Sequence, residues 1–371
     1  MTDAALLELV RRFAAERVAP RAAGDEDAGR FPRDLLDELG RMDLLGLPFP
    51  EEYGGSGLPF GAYLHVVEEL SHAFLTVGMS LSVHTLATWA VATYASDEVR
   101  KEWLPAMTAG RLLGAYSLSE PGSGSDAAGL TTRAVREGDH YVVDGTKAWV
   151  THAGHADFYV LMCRTSPDRT RGISALLVPA GTPGMSFPPA EKKMGMRSSP
   201  TGQIVFEGAR VPIRNLLGVE GQGLRIALSA LDGGRLGIAA CSTGLAQVAL
   251  DHAVAYARDR RQFGRPIGDF QGVGFMLADM ATQISAARAL WLEAAALRDA
   301  GEPSGTSAAM AKLFASDMAM RVTTDAVQIF GAYGYTTDYP VERLMREAKV
   351  LQIVEGTSQV QRMVISRALL K

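Results

Sequence analysis

The chain has 371 residues and a mass of 39.6 kDa, long enough for two or three packed units rather than one core. Hydrophobic residues make up 47% and charged residues 21%, the balance of an ordinary globular protein, which excludes intrinsic disorder. A formal net charge of -4 and a pI near 6.0 exclude sequence-independent nucleic-acid binding, which needs a strong excess of Lys and Arg; local clusters such as Arg258-Asp259-Arg260-Arg261 remain free to hold a small anion.

From Ala4 to about Met107 apolar residues recur at three- and four-residue spacing, as in Leu6, Leu9, Val10 and Phe13 and again in Leu35, Leu36, Leu39 and Met42, which predicts helices. Turns such as Tyr53-Gly54-Gly55-Ser56-Gly57 punctuate them. From Ala115 to about Pro212 the texture changes to short β-type runs: Tyr141-Val142-Val143, Ala148-Trp149-Val150, Phe158 to Met162, Ala175 to Val178 and Ile204-Val205-Phe206. Gly, Pro and Asp separate these runs, and Asp144-Gly145 reads as a hairpin turn. After Asn215 the helical pattern returns, with Met276, Met280, Ile284, Ala287, Trp291 and Ala294 in a near-heptad stripe that belongs to a bundle core. The expected architecture is α+β and multidomain: an N-terminal helical domain (1–114), a middle antiparallel β-domain (115–214) and a C-terminal four-helix bundle (215–371).

Cys163 and Cys241 form no C-x-x-C pair, and the seven histidines, His152 and His155 among them, have no metal-ligand spacing, so no metal site is expected. The opening residues Met1 to Glu8 show no basic region followed by an apolar one, and no run of about 18 uninterrupted apolar residues occurs. These features predict a soluble, cytoplasmic protein in a reducing compartment, without a membrane partner.

One carboxylate stands out. Glu355 lies between an apolar segment (Val350, Leu351, Ile353, Val354) and the turn Gly356-Thr357-Ser358-Gln359. Apolar neighbours strip hydration from a carboxylate, penalise its charged form and raise its pKa toward the range of a useful general base. A solvated Glu at a helix end has the same local pattern, and these residues alone leave both readings open.

Five further segments bear on that choice: Pro50-Glu51-Glu52-Tyr53-Gly54-Gly55, Ser119-Glu120-Pro121-Gly122-Ser123-Gly124-Ser125-Asp126, Arg260-Arg261-Gln262-Phe263-Gly264, Gln328-Ile329-Phe330-Gly331, and Gly334 to Arg343. In this order, across three differently textured regions, they resemble the acyl-CoA dehydrogenase family of short- and medium-chain flavoproteins, nearly end to end. The resemblance implies FAD-dependent α,β-dehydrogenation of an acyl thioester, acyl-CoA to trans-2-enoyl-CoA. Glu355 would take the α proton and flavin N5 the β hydride. The family holds the thioester carbonyl with the backbone N–H of this Glu and a ribityl hydroxyl, which stabilises the developing enolate. Relatives that carry the base on another helix place it directly before an arginine, in the segment matching Leu231-Asp232-Gly233-Gly234-Arg235; here that position is Gly234, so Glu355 keeps the role.

By the same resemblance, Tyr116, Leu118, Ser119, Gly124 and Ser125 meet the flavin, and Trp149, Val150 and Thr151 form the strand beside it. Arg260, Gln262, Phe263, Gln271, Gln328 and Gly331 reach the FAD of a neighbouring subunit, while Thr357, Ser358 and Gln359 lie at the adenylate end or the flavin edge. Ser125, Asp232, Arg235, Gly356 and Arg367 match positions near the thioester or pantetheine; Arg235 is equally placed to pair with a buried carboxylate. Sharing FAD implies a homodimer at least, with a homotetramer as the family expectation.

Three departures stand out. Ala332 stands where relatives have a second Gly, which adds a methyl near the expected flavin path and bears on cofactor affinity; Val354 replaces a Tyr bordering the acyl pocket, and Gly78 occupies the approximate place of a carboxylate-binding Arg in glutaryl-type relatives, which disfavours a dicarboxylic substrate. The expected electron acceptor is an electron-transfer flavoprotein. Alternatives are the same chemistry on an acyl-carrier-protein thioester, a direct oxidase, and a non-enzymatic, nucleic-acid-binding branch of the fold, against which the acidic pI weighs.

Overall fold

A computed structural model describes residues 3–370 of the chain. In the N-terminal region α1 (Asp3–Phe13) buries Leu6, Val10 and Phe13 on one stripe, and a π-helical turn at Ala14–Val18 leads toward α2 (Ala22–Ala28). After α3 (Arg33–Arg41), α4 (Phe60–Ala73) and α5 (Leu75–Tyr94) form the core of this region, and α6 (Asp97–Thr108) starts on Ser96, whose hydroxyl accepts from the Val99 N–H at 3.3 Å.

The middle region is one twisted sheet. Its strands are β1 (Gly114–Ser117), β2 (Arg133–Glu137), β3 (His140–Thr151), β4 (Phe158–Arg164), β5 (Ile173–Pro179), β6 (Met185–Ser186), β7 (Thr201–Pro212) and β8 (Leu216–Leu217). Their order is β6-β7-β3-β2-β4-β5-β8, with β1 beside β4. The sheet is mixed where an antiparallel one was expected: β1 runs parallel to β4 because it enters straight from the helical region, and β2 meets β4 in parallel at Arg133 and Arg164. It also runs past residue 214, since Leu216 and Leu217 of β8 pair with Leu176 and Ala175.

The expected hairpin at Asp144-Gly145 is not a turn. Both residues lie inside β3, at an irregularity opposite β7 where the register slips between Val143 and Gly145. Gly145 has φ 142°, and a Cβ there would meet Thr132 Oγ1 at 2.6 Å, while the Asp144 carboxylate accepts the Gly208 N–H across the sheet. The chain reverses instead at Gly138-Asp139, between Glu137 and His140, with Gly138 at φ 60°.

The C-terminal region is built on α7 (Gly223–Asp259), α8 (Gln271–Asp299) and α9 (Gly305–Phe330), with α10 (Val341–Leu351) and α11 (Ser358–Leu369) packed on α9 in the place of one longer fourth helix. A small ribbon of β9 (Arg261–Gln262) and β10 (Arg265–Pro266) joins α7 to α8. The α8 stripe is core as expected: Met280, Ile284, Ala287, Trp291 and Ala294 are buried, and the Trp291 indole N–H donates to Thr243 Oγ1 at 3.1 Å. Helices α5 and α7 are long and apolar enough to cross a membrane by composition, but 89% and 67% of their most apolar windows are buried inside the fold, which makes them core helices.

Three sets of buried polar contacts fix β1 and its continuation. The Gly114 N–H donates to His84 Nδ1 at 3.1 Å, and the Gly114 carbonyl accepts from His152 Nδ1 at 3.0 Å, so neutral imidazoles hold the two peptide units that flank one Cα. Burial holds His84 down to about 3 and His152 to about 4. Farther along, the fully buried Lys147 ammonium donates to the Leu118 carbonyl at 3.0 Å and to Glu120 at 2.9 Å, and the Ala148 N–H donates to the Ser119 carbonyl at 2.9 Å. Leu118-Ser119 is thereby fastened beside Ala148-Trp149.

Candidate active site

The site begins with backbone geometry. Between α10 and α11 the chain passes through two successive residues at positive φ, Glu355 at 54° and Gly356 at 91°. Gly tolerates this conformation, whereas Glu does not without support. Support comes from two buried side chains. Gln361 Nε2 donates to the carbonyls of Glu355 (3.2 Å) and Gly356 (2.9 Å), and Lys312 Nζ, on α9, donates to the Gly356 carbonyl at 3.0 Å. Thr357 caps α11 by accepting from the Val360 N–H at 3.2 Å.

This turn throws the Glu355 side chain against α7 at Gly234. A Cβ at Gly234 would lie 1.8 Å from Glu355 Oε2, so the carboxylate occupies the space that any other residue there would take. Part of the residue stays open, yet Oε2 is sealed and has no hydrogen-bond partner, and the Glu355 N–H makes no hydrogen bond among the described residues. Burial pushes the carboxyl up to about 7, opposed by the cations of Arg235 and Lys312. Lys312 in turn is driven down to about 8 by its own burial, against the pull of Glu355 and Asp317. A proton acceptor poised near neutrality beside a free amide donor suits removal of a proton from a carbon next to a carbonyl.

Beside Gly234 the cleft continues between α4, α5 and α7, past Tyr63, Ser82, Leu86 and Trp89 to Arg298 on α8. Arg235 is not a direct partner of Glu355: its guanidinium bonds Asp232 at 2.6 Å, leaving Nε buried without a partner. Gly78 packs against α4, where a Cβ would meet Ser71 Oγ at 1.9 Å, and does not line the cleft.

The residues expected around FAD divide into two groups. Near the sheet, the Ser119 and Thr151 hydroxyls are partly open and without hydrogen bonds among the described residues, and Trp149, at φ 60°, keeps 63% of its surface exposed. Val150 is buried beneath them, Gly124 has no atom within 4 Å of an added Cβ, and Ser125 is exposed. Open hydroxyls, a bare aromatic face and an unobstructed loop fit a flat, polar-edged ring. Leu118 and Tyr116 instead face inward, with the Tyr116 hydroxyl donating to the Ala227 carbonyl at 3.3 Å. Ser358 differs from expectation: its N–H and hydroxyl are spent on Gln352 and Asp317, because the residue opens α11 against α9. Gln359 is exposed, as is Arg367 in the last turn of α11, about 14 Å along the helix from Ser358.

The second group lies elsewhere. Gln262, Phe263, Gln271, Gln328 and Gly331 are all exposed, Phe263 by 93%, and the Arg260 guanidinium lies 5.4 Å from the Tyr333 ring centroid. Along α9, Gln328 is about 24 Å from Lys312 at 1.5 Å per residue. One chain therefore keeps this surface apart from its own Glu355.

Sequence reasoning missed Lys312, Gln361, Lys147 and Arg298. A lone cation in the run Ala308-Ala309-Met310-Ala311-Lys312-Leu313-Phe314 was a usable signal for the first; the other three have no local signature.

Family models for the acyl-CoA dehydrogenase N-terminal, middle and C-terminal domains match residues 2–111, 115–209 and 221–370. An acyl-CoA dehydrogenase of Bacillus subtilis is 46% identical over 98% of this chain and 96% of its own length. A short-chain-specific acyl-CoA dehydrogenase of Clostridium acetobutylicum is 45% identical, covering 97% of this chain and 95% of that one. The structure of butyryl-CoA dehydrogenase from Megasphaera elsdenii superposes with a TM-score of 0.98 at 41% identity, over 100% of this chain and 99% of that one. The chain belongs to the acyl-CoA dehydrogenase family, and is an FAD-dependent oxidoreductase acting on CH–CH bonds.

Proposed function

We propose that the protein dehydrogenates short-chain acyl-CoA thioesters between the α and β carbons, with Glu355 as the base. The observation that carries this reading is the sealed, unpartnered Oε2 of Glu355 packed on Gly234, beside a free N–H on the same residue. The thioester carbonyl accepts from the Glu355 N–H, which stabilises the enolate as the Glu355 carboxylate takes the α proton. FAD, when bound, supplies the acceptor for the β hydride. Ser119, Thr151 and Trp149 would hold its ring, and Lys147 keeps their two segments aligned. Trp89 and Phe60 narrow the cleft, favouring a small acyl group.

The exposed surface around Arg260 and Phe263 supports a dimer in which it completes the FAD site of a second copy. Exposed apolar side chains on α8, α9 and α11, including Phe275, Phe314 and Met363, support further association to a tetramer. We assign electron-transfer flavoprotein as the oxidant of the reduced protein and the CoA ester, rather than a carrier-protein thioester, as substrate.

Anaerobic flavin bleaching with butyryl-CoA and with the matched carrier-protein thioester tests this. Bleaching by butyryl-CoA in the wild type and its absence in a Glu355→Gln variant that retains FAD is the expected result; equal bleaching in both would remove Glu355 from the role.

A further inference from the structure

We propose that Arg298, clasped between Phe60 and Trp89, is the floor of the acyl cleft and limits the thioester to short chains, an inference that rests on the acyl-CoA reading above. Two neighbouring glycines of α7 set the dimensions. The Glu355 carboxylate packs on Gly234, and Arg298 packs on Gly233, where an added Cβ would meet Arg298 Nη2 at 3.3 Å and Phe60 Cζ at 3.5 Å. Base and guanidinium thus stand over consecutive residues of one helix, and Gly233, Gly234 and Arg298 all line the cleft. The gap beside Arg298, walled by Phe60, Trp89, Gly233 and Gly234, is about 10 Å³, room for about one water molecule.

The guanidinium is held by ring faces. Its central carbon lies 4.6 Å from the Phe60 centroid and 5.4 Å from that of Trp89, and it makes no hydrogen bond or ion pair among the described residues. Phe60 is itself fixed, because Asp299 accepts the N–H groups of Phe60 (2.7 Å) and Gly61 (3.2 Å) at the start of α4. A cation without a partner raises the rival idea of a seat for a substrate carboxylate. The surrounding charges decide against it: Asp232 and Asp299 already act on Arg298, and with Arg235 paired to Asp232 the set holds two cations and two anions. An additional carboxylate would meet no surplus positive charge. A longer aliphatic chain would have to pull Arg298 out of both ring contacts.

Two measurements on FAD-loaded protein test the floor: bleaching rates with butyryl-, hexanoyl-, octanoyl- and dodecanoyl-CoA, and calorimetric affinities of the same series for protein carrying Glu355→Gln. Arg298→Ala should lower the butyryl-over-octanoyl preference by about tenfold or more in both, as expected when several methylenes gain room. Arg298→Met, which keeps much of the bulk but no charge, should retain the preference. Trp89→Ala should act in the same direction as Arg298→Ala and serves if that variant does not fold. An unchanged preference in Trp89→Ala and folded Arg298→Ala would overturn the floor, as would wild type that favours glutaryl-CoA over butyryl-CoA. Wild type that bleaches with no acyl-CoA would instead overturn the dehydrogenase reading, while the calorimetric series still decides the floor.

Discussion

The Glu355 turn and the Arg260–Gly331 surface belong to the same helical region and are built in opposite ways. At the turn every support comes from within the chain: Gln361 and Lys312 hold the strained carbonyls, Gly234 gives the carboxylate its seat, and burial raises its pKa. At the surface the polar and aromatic groups point outward, with Phe263 93% exposed and Arg260 resting on Tyr333. The difference separates proton chemistry, whose groups one chain brings together, from the surface that, in the proposed dimer, would complete the cofactor site of a second copy. Interior groups are positioned by packing, whereas exposed ones gain fixed geometry when a partner covers them.

Six substitutions at five positions would break or sharpen this contrast. The largest effect is expected at the base: Glu355→Gln should slow anaerobic flavin reduction by about 10³- to 10⁴-fold while FAD absorbance and melting temperature stay near wild type. Next, Gly234→Ala places a methyl where Oε2 now lies, and displacement of the carboxylate should cost about 10²-fold in the same assay without loss of FAD. A rate within twofold of wild type would show that the turn adjusts and that Gly234 is not its fixed seat.

The surface should respond in the reverse manner. Arg260→Ala and Phe263→Ala should leave the stability of the single chain within about 0.5 kcal/mol, because both side chains make few internal contacts. Each should nonetheless weaken FAD retention by about tenfold and shift the sedimentation profile toward monomer. Unaltered FAD retention would mean that this half-site is solvent-facing decoration.

The smallest effect is a displaced pH profile. Glu355 accepts a proton only when ionised, so kcat/KM should fall below about pH 7, tenfold per unit at the limit. Lys312 opposes the rise of that pKa, so Lys312→Met should move the acid limb to higher pH and Lys312→Arg should return it. A rate loss with an unmoved limb would reduce Lys312 to a support for the Gly356 carbonyl.

Much of the fold was legible because its periodicities are local. The α8 stripe from Met280 to Ala294 packs as its spacing requires, and the change of texture near residue 115 marks the start of the sheet. Asp144-Gly145 misled because that pair serves a bulge as well as a turn, and the long partner strand β7, remote in sequence, decides between them. Ser358 likewise takes a partner remote in sequence, since α9 brings Asp317 within 3.1 Å of its hydroxyl.

By itself the sequence determined the alternation of helical and β regions, the family, and the pairing of one carboxylate at 355 with a glycine at 234, since these depend on residue identity and order. Tertiary structure alone decided that the carboxylate and the glycine touch, that Lys312 and Gln361 hold the turn between them, and that Arg298 ends the cleft. Those relations join residues between 5 and 238 positions apart, and only the packing of α4, α7, α8, α9 and α11 fixes their distances, their burial and therefore their chemistry.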